Sequence, residues 1–255
     1  MTFITTEIVD HIAVITMDAP PVNAVSSAFM TEMITAFDMI NDLDDVRVVV
    51  LTGAGKIFSA GADIKARATL VVQPGDRWTS ARLAREMSYS ILECKKPVIA
   101  AVNGPALGAG LGIAASCDIL LCSENACFGL PEVDVGLMGG GKHAMRLFGH
   151  SLSRRMMFTG YRVPAAELYR LGIVETCVPL DQLMPTAMDM ARIIASKSPI
   201  ASRTAKNSAA TIENMTLRDG YRFEQNMTAE LGRSEDAKEA MRAFSEKRTP
   251  VFVGR

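Results

Sequence analysis

From Val98 to Cys117 the chain carries no charged side chain. A stretch of that kind has to be buried, in a bilayer or in a protein core. Its length would permit a membrane span, but its punctuation argues otherwise. Asn103, Pro105 and the glycines at 104, 108, 110 and 112 interrupt it, which suits a strand, a loop and a helix better than one continuous helix. The expectation is a strand over 97–102, a glycine-rich loop and a helix of small residues over 107–116. Closing a core over such a segment needs a sizeable apolar chain. At 255 residues and 49% hydrophobic, one large α/β domain, with or without a helical appendage, is long enough to do so.

The flanking sequence supplies the layers. Residues 11–18 (HIAVITMD) alternate apolar and polar side chains like a half-buried strand. After Pro20-Pro21, residues Phe29, Met33, Ala36, Phe37 and Ile40 recur at helical spacing, with Ser26 or Ser27 as the N-cap. Residues 46–52 (VRVVVLT) predict a strand stopped by Gly53-Ala-Gly55, and a helix is expected over 78–94. Ile119 to Cys122 returns as a strand. Beyond about residue 139 strand signals nearly vanish, Ile173 to Val178 excepted, and helical periods dominate. Ser234 opens a final helix with acids in its first turn and Lys247-Arg248 at its end, matching the helix dipole at both termini. The division is a core over 1–195 built from strand-strand-helix units and a helical region over 196–255.

Composition excludes several classes. A net charge of -1 argues against broad nucleic-acid or membrane-surface binding, which draws on a basic excess. The cysteines (94, 117, 122, 127 and 177) form no C-x-x-C pair, and the chain has 3 histidines, so no metal site is expected. Small buried thiols in a reducing cytoplasm is the reading taken. The N-terminus lacks the basic start and apolar run of a secretory signal.

Two glycine-rich loops and one acidic segment carry chemistry. Residues 58–65 (FSAGADIK) place a glycine before a helix start, and residues 103–112 (NGPALGAGLG) follow a strand and open a helix. Each leaves backbone N–H groups free at a positive helix end. Two such donors converging on one oxygen make an oxyanion hole, which stabilises the enolate of a thioester. In the third segment, 128–136 (FGLPEVDVG), Glu132 follows a proline in apolar surroundings. Desolvation there would raise its pKa toward acid/base use; a carboxylate that caps a turn or pairs with an arginine is the structural alternative.

FSAGADIK, AVNGPALGAG, the later CDI and FGLPE, in this order and spacing, resemble the signature of the crotonase (enoyl-CoA hydratase/isomerase) family. The tail FSEKRTPVF is similar to the family's C-terminal helix, so the likeness spans nearly the whole chain. It implies an α/β fold, a crotonase-type spiral of β-β-α units with a C-terminal helical trimerisation region, assembled as a trimer or a dimer of trimers. It implies an acyl-CoA thioester substrate and no separate cofactor, coenzyme A being part of the substrate. Carried over position by position, it assigns the oxyanion N–H groups to Ala62 and Ala109 and the acid/base role to Glu132. It places Ala60, Asp63, Ile64 and Lys65 near coenzyme A, Gly140 beside the catalytic water, and Lys247 near a coenzyme A phosphate.

Family hydratases use a second glutamate, and Gly112 occupies its position here. One carboxylate can move a proton from C2 to C4 and shift a double bond, or can orient a water and supply its proton. Asp134, two residues from Glu132, is a further acid candidate. His143, after Gly139-Gly-Gly141, lies near the expected acyl site, and Tyr161 and Tyr221 are possible donors. The segment 66–80 resembles a lid. Rival readings are a non-catalytic acyl-CoA or RNA-binding relative on the same fold, a dehydrogenase suggested by the G-x-G-x-x-A pattern of 110–115, and a serine peptidase on a related fold, for which no serine-histidine-acid pattern is visible.

Overall fold

The computed structural model describes residues 2–64 and 73–255. Its centre is a six-stranded sheet in the order β1-β2-β4-β6-β8-β11: β1 (Ile4–Val9), β2 (Ile12–Met17), β4 (Val48–Gly53), β6 (Val98–Val102), β8 (Ile119–Ser123) and β11 (Thr176–Val178). β1 pairs antiparallel with β2, and every later pairing is parallel. Two small sheets stand apart from it. β3 (Ala24–Val25) pairs with β5 (Gly61–Ala62), and β9 (Cys127–Gly129) lies between β7 (Ala106–Leu107) and β10 (Arg162–Pro164).

The central strands are apolar on both faces because both faces are covered. In β4, Val48 and Val50 point to one side, where Leu183, Ala187, Ala191 and Ala195 of α7 (Leu180–Ala195) pack on them. Val49 and Leu51 point to the other, into the larger core with Phe29, Met33 and Phe37 of α1 (Ser27–Asp42). That core also takes Met87 and Ile91 of α2 (Asp76–Leu92) and Leu111 and Ile113 of α3 (Ala109–Ser116). Burying each such side chain contributes about 1.5–3 kcal/mol. The remaining helices are α4 (Gly141–Leu147), α5 (His150–Thr159), α6 (Ala165–Arg170), α8 (Pro199–Ile212), α9 (Leu217–Leu231) and α10 (Glu235–Glu246).

The cap expectations hold. Ser26 accepts from Phe29 N at the start of α1, Ser234 accepts from Ala237 N at the start of α10, and Lys247 ends α10 in a left-handed conformation. The uncharged stretch is buried in the core, and among the described residues no helix is long and apolar enough to cross a membrane. Three expectations need correction. Ala106 and Leu107 form β7 rather than the start of a helix, because Leu107 N–H donates to Ser59 O, a non-helical partner. β10 adds a strand beyond residue 139. Of the expected lid over 66–80, residues 66–72 lie outside the described residues, and Asp76 to Ser80 are already the first turn of α2.

Candidate active site

The site begins with a clamp. Asn23 is buried between β2 and β3; its Oδ1 accepts from Ala19 N (2.9 Å), and its amide donates to the carbonyls of Ala54 (3.1 Å), Ile57 (2.8 Å) and Phe58 (3.2 Å). This fixes the course of the first glycine-rich loop. Asn103 then ties the second loop to it, accepting from Gly53 N (3.2 Å) and donating to Gly55 O (3.0 Å). Farther along, Ser59 N donates to Pro105 O and Leu107 N to Ser59 O. The two loops run side by side as a short parallel bridge between Ser59 and Ala106.

One of their close approaches requires Gly61. Its φ is 89°, and a methyl group on it would stand 2.6 Å from Leu107 O and 3.2 Å from Ala109 N. The contact brings Ala62, which follows, and Ala109, which opens α3, to one cavity of about 270 Å³. Asp63 N donates to Val25 O. Successive N–H groups of a strand face opposite ways, so the Ala62 N–H turns away from β3. The Ala109 N–H belongs to the first helical turn, whose donors have no partner within the helix.

Glu132 faces the same cavity. Pro131 starts a 3-10 turn over Pro131–Val135 that is closed by Gly136 and Leu137 N–H groups donating to Glu132 O. The turn presents the Glu132 side chain to Gly108. A methyl group on Gly108 would come within 2.6 Å of Glu132 Oε1, and one on Gly139 within 3.5 Å. Oε2 is buried without a hydrogen-bond partner among the described residues. Burial pushes the carboxyl above its ordinary value, against a smaller pull from its own backbone N–H. A sealed, unpartnered carboxyl oxygen is costly in a folded protein, and it is what an acid/base group awaiting a substrate looks like.

The other expected residues separate. Ile64, Gly112, Gly140 and His143 line the cavity with Glu132. Asp134 does not. Its carboxylate turns toward the end of α5, where a methyl group on Gly160 would stand 2.9 Å from its Oδ2, because the 3-10 turn rotates alternate side chains to different sides. Its nomination as a second acid is therefore corrected. Ala60 N–H is engaged by Val22 O, Lys247 is exposed at the end of α10, and Lys65 lies outside the described residues. Tyr161 packs under the Arg155 guanidinium at 3.6 Å, and Tyr221 is exposed on α9. The glycine pattern at 110–115 is not a nucleotide loop: β7 intervenes between β6 and α3, and a methyl group on Gly110 would meet Ser59 O at 2.4 Å. A larger cavity of about 590 Å³ beside α8 contains neither loop nor Glu132.

Sequence reasoning missed the role of Asn23, although an asparagine after two prolines is a recognisable turn signal. It also missed Leu137 and Met138 as cavity-lining residues, since they follow the turn outside any regular element whose period would give their direction.

A mostly parallel sheet feeding two interlocked glycine loops, backed by a C-terminal helical layer, defines a crotonase. The crystal structure of an enoyl-CoA hydratase from Bacillus anthracis matches with a TM-score of 0.94 at 32% identity, covering 99% of this chain and 100% of that one. The chain belongs to the enoyl-CoA hydratase/isomerase family, whose model matches residues 7–255. It is 35% identical over 252 residues to a probable mitochondrial enoyl-CoA hydratase of Dictyostelium discoideum, covering 97% of this chain and 90% of that protein. It is 37% identical over 240 residues to a (7aS)-7a-methyl-1,5-dioxo-2,3,5,6,7,7a-hexahydro-1H-indene-carboxyl-CoA hydrolase of Mycobacterium tuberculosis, covering 92% and 95%.

Proposed function

We propose that this chain adds water reversibly across the C2=C3 bond of a 2-enoyl-CoA thioester through an enolate. The observation that carries the reading is Glu132, whose Oε2, buried and without a partner among the described residues, belongs to a carboxyl facing the cavity that the two glycine loops share. The thioester oxygen sits between the N–H groups of Ala62 and Ala109 and takes up the charge that develops as C2 loses or gains its proton. Glu132 carries that proton. Ala60, Asp63, Ile64 and Lys65 run along the coenzyme A moiety beside the first loop, Gly140 borders the water, and Lys247 meets a coenzyme A phosphate from a neighbouring subunit. No further cofactor takes part. The assembly is a trimer or a dimer of trimers.

A second reading, migration of the double bond from C3 to C2, draws on Glu132 being the one carboxylate that lines the cavity among the described residues. One carboxylate can carry a proton between C4 and C2 without water.

Loss of absorbance on adding crotonyl-CoA, with wild type beside Glu132→Gln, tests both. Hydration lost by at least about 100-fold in the variant is the expected result. Equal rates in the two proteins would remove Glu132 from the chemistry. No loss with wild type, but turnover of 3-enoyl-CoA, would select the isomerase. Failure to bind any acyl-CoA would leave a non-catalytic relative.

A further inference from the structure

Adding water to a double bond moves protons at two places, at C3 where the hydroxyl arrives and at C2 where the proton arrives, and two groups can divide that work. Glu132 is packed against Gly108. The cavity has a second titratable wall one helical turn further along α3. The atoms nearest to a methyl group on Gly112 would be those of the His143 ring: Cγ at 3.8 Å, Cδ2 at 3.9 Å and Nδ1 at 3.9 Å. Gly112 N–H donates to Gly108 O at 3.1 Å, so these two glycines stand on one face of α3, about 6 Å apart along its axis. Glu132 covers the first and His143 the second, and both line the same cavity. Glycine at 112 has a different reason from its neighbours. At Gly108 and Gly110 an added carbon would collide below 3 Å, whereas at Gly112 it would meet the imidazole at ordinary van der Waals distance.

Resting on the hydration reading above, we propose that His143 is the second catalytic residue, the base that activates the attacking water in the space beside Gly112. His143 accepts a proton from water as the oxygen bonds to C3, and the C2=C3 electron pair moves through C1 onto the thioester oxygen. That charge returns as C2 takes the proton from Glu132. The imidazolium then passes its proton back to the Glu132 carboxylate, so water is the net addition and both groups end as they began. Burial, and secondarily the Arg146 charge, pull the imidazole below its ordinary value, while burial pushes Glu132 upward. Each shift favours the neutral form from which the step starts, a neutral imidazole and a neutral carboxyl. Among the described residues the charge that acts on His143 is Arg146 on its own helix, itself paired with Glu213, and Glu132 lines the same cavity. The cavity-lining residues of α2 and α3 (Ala84, Met87, Ser88, Ala109, Gly112) carry none.

The test compares wild type, His143→Gln and the double variant His143→Gly/Gly112→Glu. Each is assayed for hydration, using whichever of crotonyl-, 2-octenoyl- and cinnamoyl-CoA wild type turns over fastest, and for exchange of the C2 protons of butyryl-CoA in D2O. Exchange needs Glu132 and the oxyanion donors but no water at C3. For His143→Gln the expected result is a kcat for hydration lower by at least about 100-fold, KM within about threefold, and a loss of exchange at least tenfold smaller than the loss of hydration. The acidic limb of the hydration pH profile should vanish, because no imidazole remains to be protonated. The double variant should recover at least tenfold over His143→Gln by setting a carboxylate in the vacated space. Hydration by His143→Gln at the wild-type rate, or hydration and exchange falling in parallel, would overturn the proposal. So would a wild type that exchanges C2 protons yet hydrates none of the three thioesters. A wild type that does neither removes the hydration reading itself.

Discussion

Glu132 is a burden to the fold, and that burden can be measured. Burial raises its carboxyl above the ordinary value of 4.5, so between that value and the raised one the native state holds a proton that the unfolded chain has released. The sign follows directly: stability falls as pH rises through this window and stays reduced above it. Glu132→Gln has no charge to bury. In urea denaturation the variant should gain on wild type at about pH 8 and lose that advantage toward about pH 4.5. His143 pushes the opposite way, since its lowered value makes stability rise with pH, so the comparison with the variant isolates the carboxyl. An advantage that does not change with pH would mean that Glu132 is solvated in the native state. Much of this was legible beforehand. A glutamate behind a proline in an apolar run predicts desolvation, and the family resemblance gave it a role. Asp134 was not separable from it in sequence, because two residues in a 3-10 turn have no fixed common face. His143 was visible only as a candidate, since its meaning depends on its approach to Gly112, which belongs to another helix.

The elements that were legible are those longer than their own period. Residues 12–17, 48–53 and 98–102 are strands, and α1 begins at the serine its spacing nominated. The short strands β3, β5, β7 and β10, of two or three residues each, contain barely one alternation and left no pattern to read. Yet β3, β5 and β7 hold the two loops together, and the connection rests on Asn23. Its φ is 51°, a conformation asparagine tolerates better than alanine, and its side chain serves Ala19, Ala54, Ile57 and Phe58 at once. Asn23→Ala should cost roughly 2–4 kcal/mol, combining buried partners left unsatisfied with a strained backbone. Urea midpoints at constant slope would measure it. Turnover should fall more than the stability loss explains, because Gly61 and Ala109 would no longer be held in contact. A loss below about 0.5 kcal/mol would show that the loops are held by their own bridge at Ser59 and Ala106.

At the scale of the molecule, large apolar side chains stand exposed on the C-terminal helices and beside the cavity. Phe244 on α10 is 88% exposed, Leu217 at the start of α9 is 89% exposed, and Met138 beside the cavity is 84% exposed. Trp78 and Phe158 are exposed as well. Single exposed hydrophobes are ordinary, but large ones repeated on consecutive C-terminal helices make those helices the place to test for a contact surface. The C-terminal tail is nonetheless built to keep its own order. Asp236, almost fully buried, accepts from Val253 N, Gly254 N and the Ser198 hydroxyl, which fastens the last residues to the starts of α8 and α10. The trimer or dimer of trimers proposed above would use the outer faces of α9 and α10. Light scattering in line with gel filtration should therefore give three or six times the 27.5 kDa chain mass. Paired substitutions Leu217→Glu and Phe244→Glu should lower that mass, since a buried interface does not tolerate unpaired charge. The same variants should weaken coenzyme A thioester binding if Lys247 reaches a neighbour's site, with KM rising more than kcat falls. A single-chain mass for wild type at micromolar concentration would reject the assembly and leave the exposed aromatics to a different partner. An unchanged oligomer in the paired variant would move the interface to the face carrying Met138 and Phe158.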